Sequence, residues 1–315
     1  MKAVLTLLAA AAIWGFAFVA QRKGMASLDP FTFNALRFIL GAACVWLTRL
    51  LLSHTRISRQ TGPGREPNPS QTAGHWMDSL QLGGLLFIAS SLQQYGLLWT
   101  GAGRAGFITG LYVVMVPLIG LLRGQHLNRR LLLSVGLAVA GLWLINRSQS
   151  WEATQGNFLV LTGALFWALH VQLIDKLTVR RKSLDLALGQ YLVCAVLSLA
   201  GAILYRGLWG AGSLPELALG IRSAILPLLY AGLFSVGIAF TLQLHAQKKV
   251  APTTASVILC SESLFALLGG YLLLREAVTP AIILGAALLL AAMLASLAGQ
   301  AGNVFLIDKK AASEK

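Results

Sequence analysis

Ten apolar stretches fill most of this 315-residue chain, at about residues 3–20, 31–52, 80–99, 103–122, 131–146, 157–174, 184–205, 223–245, 251–274 and 278–298. Crossing the ~30 Å hydrocarbon core of a bilayer takes roughly 20 apolar residues, and these stretches are of that order. Backbone amides in lipid must bond within their own segment, so each stretch reads as a helix. Charged residues make up 11% of the chain, well below the roughly 25% of soluble domains. The expected fold class is an all-α integral membrane protein with ten transmembrane helices.

The chain also repeats itself. At an offset of 153, residues 4–52 match 157–205, with Trp14 on Trp167, Lys23 on Lys176, Arg37 on Gln190 and Phe38 on Tyr191. At an offset of 149, residues 92–141 match 241–290, with Gln94 on Gln243, Ala102 on Ala251 and Gly136 on Gly285. Five helices per half is an odd number, so the second half would enter the membrane inverted. Residues 1–147 form the first repeat and 156–298 the second. A site at the interface of inverted repeats can face either side of the membrane in turn. The proline- and glycine-rich stretch at 54–79 reads as a flexible loop within the first repeat, and 299–315 as a polar tail.

The net charge is +14, and its distribution argues against nucleic acid. With the N-terminus cytoplasmic, 17 lysines and arginines fall on inner connections and tails, 7 fall on outer ones, and Arg37 lies inside a helix. That is the positive-inside bias of a multi-pass protein with both termini cytoplasmic, here expected in the cell (inner) membrane. Lys2 precedes an apolar run, but the small-x-small cleavage site of a signal peptide is missing, so the first segment is taken as a retained helix. Cys44, Cys194 and Cys260 sit inside apolar segments without metal or CxxC spacing, and read as small packing residues. Small-residue pairs (Gly106 with Gly110, Gly120 with Gly124, Ala281 with Gly285) fit close helix packing inside the bundle, and a homodimer contact is the other use of such pairs.

Intramembrane polar groups are the site candidates, because a charge in mid-span costs about 2.5–3.5 kcal/mol on insertion scales and so tends to face a cavity or a partner. Glu262 lies near the middle of the ninth segment. It fits a proton-coupling carboxylate or a hook for a cationic group, or else an acid hydrogen-bonded to Ser261 or Ser263. Arg37 fits a bidentate grip on a substrate carboxylate, or else it snorkels outward or pairs with Glu262. Gln94 and Gln243, extended by Gln93 and His245, and Gln190 as the mate of Arg37, are amides that bridge helices or bind a ligand. His170 is a weaker relay candidate. Trp14, Trp167 and Tyr112 offer aromatic faces to a cavity or to the core. Pro117 is placed to bend the fourth segment. HExxH, GxSxG and P-loop motifs are missing from the sequence, so the expectation is a chain that is not an enzyme and takes no metal or cofactor.

Taken together, several motifs resemble the drug/metabolite transporter superfamily and within it the EamA-type ten-helix carriers. They are Trp14-Gly15, Asp29-Pro30, Arg37-Phe38, the Gly101–Gly106 turn, Ala251-Pro252, Ser261-Glu262, Arg275-Glu276 and Gly285. Two departures stand out: Ser263 where the family usually has proline, and Arg275 where it usually has glycine. The first puts a bend in the ninth helix in doubt. The resemblance implies alternating-access transport of amino acids, metabolites or drugs. Helices 1–4 and 6–9 would surround the cavity, with 5 and 10 peripheral. Efflux is the expected direction, driven by the substrate gradient or by coupling to H+. A non-transporting membrane sensor or scaffold and an integral-membrane enzyme are the alternatives.

Overall fold

The computed structural model describes residues 1–57, 69–146, 155–209, 213–274 and 279–313. Every regular element among them is helical. In order they are α1 (Lys2–Gly24), α2 (Pro30–Ile57), α3 (Pro69–Gly96), α4 (Ala102–Gly110), α5 (Tyr112–Leu122), α6 (Arg129–Asn146), α7 (Gln155–Thr178), α8 (Ser183–Trp209) and α9 (Leu214–Ser223). There follow α10 (Ile225–Leu229), a π-helix (Tyr230–Phe240), α11 (Thr241–Ala246), α12 (Pro252–Leu259), α13 (Glu262–Leu274) and α14 (Pro280–Ser313).

Eight helical spans among the described residues are long and apolar enough to cross a membrane. They are α1, most of α2, α4 with α5, α7, α8, α10 through α11, α12 into α13, and the first part of α14. The two remaining expected segments are the more polar or shorter ones. α3 carries Asp78, Ser79, Gln81, Ser90, Ser91, Gln93 and Gln94, and α6 has 18 residues and opens on two arginines.

Helix starts follow from local chemistry. Pro30, Pro69, Pro252 and Pro280 each stand at a first helical position, where proline's missing N–H costs nothing. Asp29 caps α2 by accepting from the amides of Phe31 (3.1 Å) and Thr32 (2.8 Å). Ser213 and Glu216 form a capping box at α9. The expected loop at 54–79 is shorter than its composition suggested. α2 runs on to Ile57 and α3 begins at Pro69, so only 58–68, with Pro63 and Pro67, lie outside the described residues. The expected polar tail is likewise helical as far as Ser313. Arg275 and Glu276 fall outside the described residues.

Packing respects the duplication. With α1 matched to α7, α2 to α8, α3 to α10 through α11, and α4, α5 and α6 to α12, α13 and α14, the main helix contacts correspond when the halves are exchanged. α1 packs on α13 as α7 packs on α5, and α2 packs on the π-helix as α8 packs on α3. α2 meets α8, and α6 meets α14. The match extends to atoms. A β-carbon on Gly83 would stand 2.8 Å from the Gln190 carbonyl oxygen and 2.6 Å from Val193; on Gly232 it would stand 3.2 Å from the Arg37 carbonyl oxygen and 2.5 Å from Leu40. Those six residues are mates at the two offsets. Gly141 and Gly285 each bring a helix within 2.7 Å, glycine β-position to carbonyl oxygen, of the other. The seam between α6 and α14 is thus backbone on backbone, the close approach that small residues allow in lipid. Gly136, which the repeat aligns with Gly285, has nothing among the described residues within 4 Å of its β-position.

Charge pairs tie one end of the bundle. Arg181 Nε and Arg180 Nη2, from the turn after α7, reach the carboxylate of Asp78 on α3 at 2.7 and 3.1 Å. Arg49 on α2 reaches Asp185 on α8 at 3.2 Å. At the other end Arg206 stands 4.0 Å from Asp29, and Thr100 hydrogen-bonds to Asn157.

Candidate functional site: a cavity at two matched helix breaks

Two spans are interrupted, and at corresponding places. α4 stops at Gly110 and α5 resumes at Tyr112; α12 stops at Leu259 and α13 resumes at Glu262. The C-cap residues, Leu111 and Cys260, are mates at the offset of 149. In the first half Pro117 withholds an amide and its ring crowds the preceding turn. Beside it the Val116 carbonyl accepts from Gln172 Nε2 of α7 (2.8 Å). The second half breaks without proline, despite Ser263. There Ser261 Oγ turns back onto the Ile258 carbonyl (2.7 Å), the local side-chain bond that bends helices. The breaks touch each other: Cys260 Sγ donates to the Gly110 carbonyl at 3.3 Å. Cys260 therefore does more than fill space.

Irregular backbone at membrane depth is tolerated where it lines a cavity, and one lies here. Trp14, Arg37, Tyr112, Trp167, Gln243 and Glu262, all singled out in the sequence, line it. Phe18, Gln21, Gln93, Thr109, Val171, Ser235, Phe240 and Leu259 complete its wall. Its volume is about 50 Å³, room for a few water molecules.

The polar wall is unsatisfied by protein. Arg37 Nε, Thr109 Oγ1, Gln243 Oε1 and Glu262 Oε1 are buried without a hydrogen-bond partner among the described residues. They come from α2, α4, α11 and α13. Arg37 and Glu262 are each 4% exposed and form no ion pair with one another, so the internal pair considered above is not made. The Arg37 guanidinium instead stands 5.0 Å over the Phe38 ring. Nor is the Glu262 carboxyl held by its serine neighbours, since Ser261 is turned away and Ser263 Oγ has no partner. Buried polar atoms are costly unless something meets them. This set, of both charge signs, is ready to meet what enters the cavity.

The apolar wall is aromatic. Phe240 lies between the two repeat-matched tryptophans, 4.7 Å from the Trp14 ring and stacked at 5.7 Å on Trp167. Both indole N–H groups are anchored, Trp14 to the Ser235 carbonyl (3.2 Å) and Trp167 to Gln93 Oε1 (2.8 Å).

Gln94 and Gln190 do not join the site. Gln94 is fully buried, with both amide atoms unpartnered among the described residues, and Gln190 Oε1 hydrogen-bonds to His170 Nε2 at 2.9 Å. Gln93 takes the place expected of Gln94, and the π-helix explains why. Glycines 83 and 232 are structural mates at offset 149, whereas the cavity amides Gln93 and Gln243 are mates at offset 150. The π-helix lies between those two points. A π turn spends an extra residue, which rotates the rest of that span by one position relative to α3. His245 is exposed at the far end of α11. α8, expected among the cavity helices, supplies no lining residue among the described ones, while α6 and α14 are peripheral as expected.

Residues 1–147 and 154–298 each match the EamA-like transporter family. The chain belongs to that family. It is 28% identical over 295 residues to an uncharacterized transporter of Archaeoglobus fulgidus, covering 93% of this chain and 85% of that one. It is 24% identical over 297 residues to the uncharacterized transporter YoaV of Bacillus subtilis, covering 92% and 94%. A solved crystal structure superposes with a TM-score of 0.71 at 19% identity, over 95% of this chain and 98% of the other. A match at that identity speaks for the fold. As a member of a transporter family, the chain is a multi-pass membrane carrier whose partner is a small solute.

Proposed function

We propose that the protein carries a small amphoteric solute, such as an amino acid or a similar metabolite, across the cell (inner) membrane by alternating access. α3 and α6 join the eight apolar spans to give ten crossings, in two inverted five-helix repeats with both termini cytoplasmic. The halves rock about the cavity at the two helix breaks. One observation carries this reading: buried, unpartnered polar atoms of both charge signs, from both halves, line a single cavity. Arg37 takes the carboxylate end of the solute, Glu262 the ammonium end, and Gln243 and Thr109 the polar atoms between. The tryptophans exclude water from the remainder.

Efflux driven by the proton gradient is the mode we favour, with Glu262 exchanging a proton for the bound cation. Proteoliposomes test this. Glu262→Gln should lose pH-gradient-driven flux while retaining solute exchange; flux still driven by the gradient removes Glu262 from the coupling role. Arg37→Gln should weaken recognition of carboxylate-bearing solutes in both assays, and an unchanged solute profile would remove Arg37 from the binding site.

A further inference from the structure

Phe240 has no counterpart in the sequence reading, yet it occupies the centre of the cavity wall. Besides the two tryptophans, it meets the rings of His170 at 6.2 Å and Tyr191 at 6.4 Å. It is 4% exposed, so its ring is almost wholly enclosed. The π-helix is what puts it there. Ser235 and Phe240 both line the cavity and are five residues apart, which on an α-helix would set them about 140° apart. One π turn brings them to the same face. The same geometry holds from outside. Gly232 and Gly237 are also five apart and both meet α2, with β-positions 2.5 Å from Leu40 and 3.0 Å from Cys44. Close packing of α2 on this glycine pair holds the π turn, and the π turn aims Phe240 inward.

We infer that Phe240 is the size-determining residue of the cavity. Its ring, wedged between Trp14 and Trp167 at the last π position, occupies the space that a bulky solute side chain would need. The cavity therefore admits compact amphoteric solutes and rejects those with large aromatic groups. The inference rests on the proposed substrate class, and the experiment separates the two.

Purified wild type, Phe240→Ala, Phe240→Leu and the control Phe234→Ala are reconstituted, and uptake of labelled glycine, leucine and tryptophan is compared. Phe234 sits on the same π-helix, 47% exposed and stacked on Tyr230, away from the cavity. Wild type and Phe234→Ala should prefer glycine and leucine over tryptophan. In Phe240→Ala the preference should fall by at least about tenfold, the scale of discrimination that one extra group in a tight pocket supplies. Phe240→Leu, which keeps most of the bulk, should fall between and serves where the alanine variant folds poorly. A size profile in Phe240→Ala equal to wild type overturns the inference. If wild type carries none of the three, the substrate class fails, and a second measurement decides the size question alone. Indole should then raise the melting temperature of Phe240→Ala but not that of wild type or Phe234→Ala; equal shifts in all three overturn it.

Discussion

One substitution, glycine to alanine, should have opposite signs at two sites in this bundle. At Gly15 a β-carbon would stand 2.5 Å from Phe265 Cβ, 2.6 Å from the Glu262 carbonyl oxygen and 2.8 Å from the Ala266 nitrogen. Two of those three atoms are backbone, so a rotamer change cannot make room. Carbon–carbon contact is comfortable at about 3.5 Å, so α1 and α13 must part by about 1 Å. Overpacking of this kind costs about 1–3 kcal/mol. It also moves the helix that begins at Glu262. At Gly136 on α6 nothing among the described residues lies within 4 Å of the β-position. There alanine only removes the conformational freedom of an in-helix glycine, which is worth about 0.5–1 kcal/mol in favour of the fold. Thermal unfolding of the purified variants in one detergent, followed by tryptophan fluorescence, measures both. Gly15→Ala should melt several degrees below wild type and lose transport, and Gly136→Ala should melt at or slightly above it. Shifts of the same sign, or a Gly15→Ala that melts like wild type, would refute the claim that α1 rests on the α13 backbone beside Glu262.

The seam between α6 and α14 yields a coupling experiment. Gly141→Ala and Gly285→Ala should each destabilise, but one displacement relieves both clashes, so the double variant should cost clearly less than the sum of the singles in a double-mutant cycle; additivity would mean that the two glycines do not share a contact. Asp78→Ala should lose about 1–3 kcal/mol, since it removes charge-assisted bonds to two arginines from a nearly buried carboxylate. Arg181→Ala should cost more than Arg180→Ala, because Arg181 bonds at 2.7 Å with 22% of its side chain exposed, against 3.1 Å and 54%; the reverse order in melting temperature would count against the geometry.

Helix existence followed from segment length, and the cost of intramembrane charge singled out Arg37 and Glu262. Gln243, Tyr112 and both tryptophans were candidates on other grounds, as an amide and as aromatic faces, and all six line one cavity. It missed where register matters. A hydrophobic pattern cannot show a π turn, so Gln94 was paired with Gln243 one residue too early and Phe240 was not singled out. The signal was present in the spacing of Gly232 and Gly237, five apart where an α-helical stripe would space them four. The second helix break was equally hidden, because its cause is a serine hydroxyl bonding backwards and not a proline. Asp78 was read as the edge of a loop, since burial by two distant arginines has no local mark. The charge asymmetry of the matched pair Arg37 and Gln190 was legible at once, because it needs only alignment.

The two cavity charges belong to different halves, Arg37 to the first and Glu262 to the second. Any movement of one half against the other therefore changes the distance between them. A solute long enough to touch both spans the joint like a strut, and its length biases which arrangement of the halves it stabilises. A solute that touches one charge alone has no such leverage. In this cavity the separation of charges within a molecule, as much as their presence, sets how strongly binding is tied to motion.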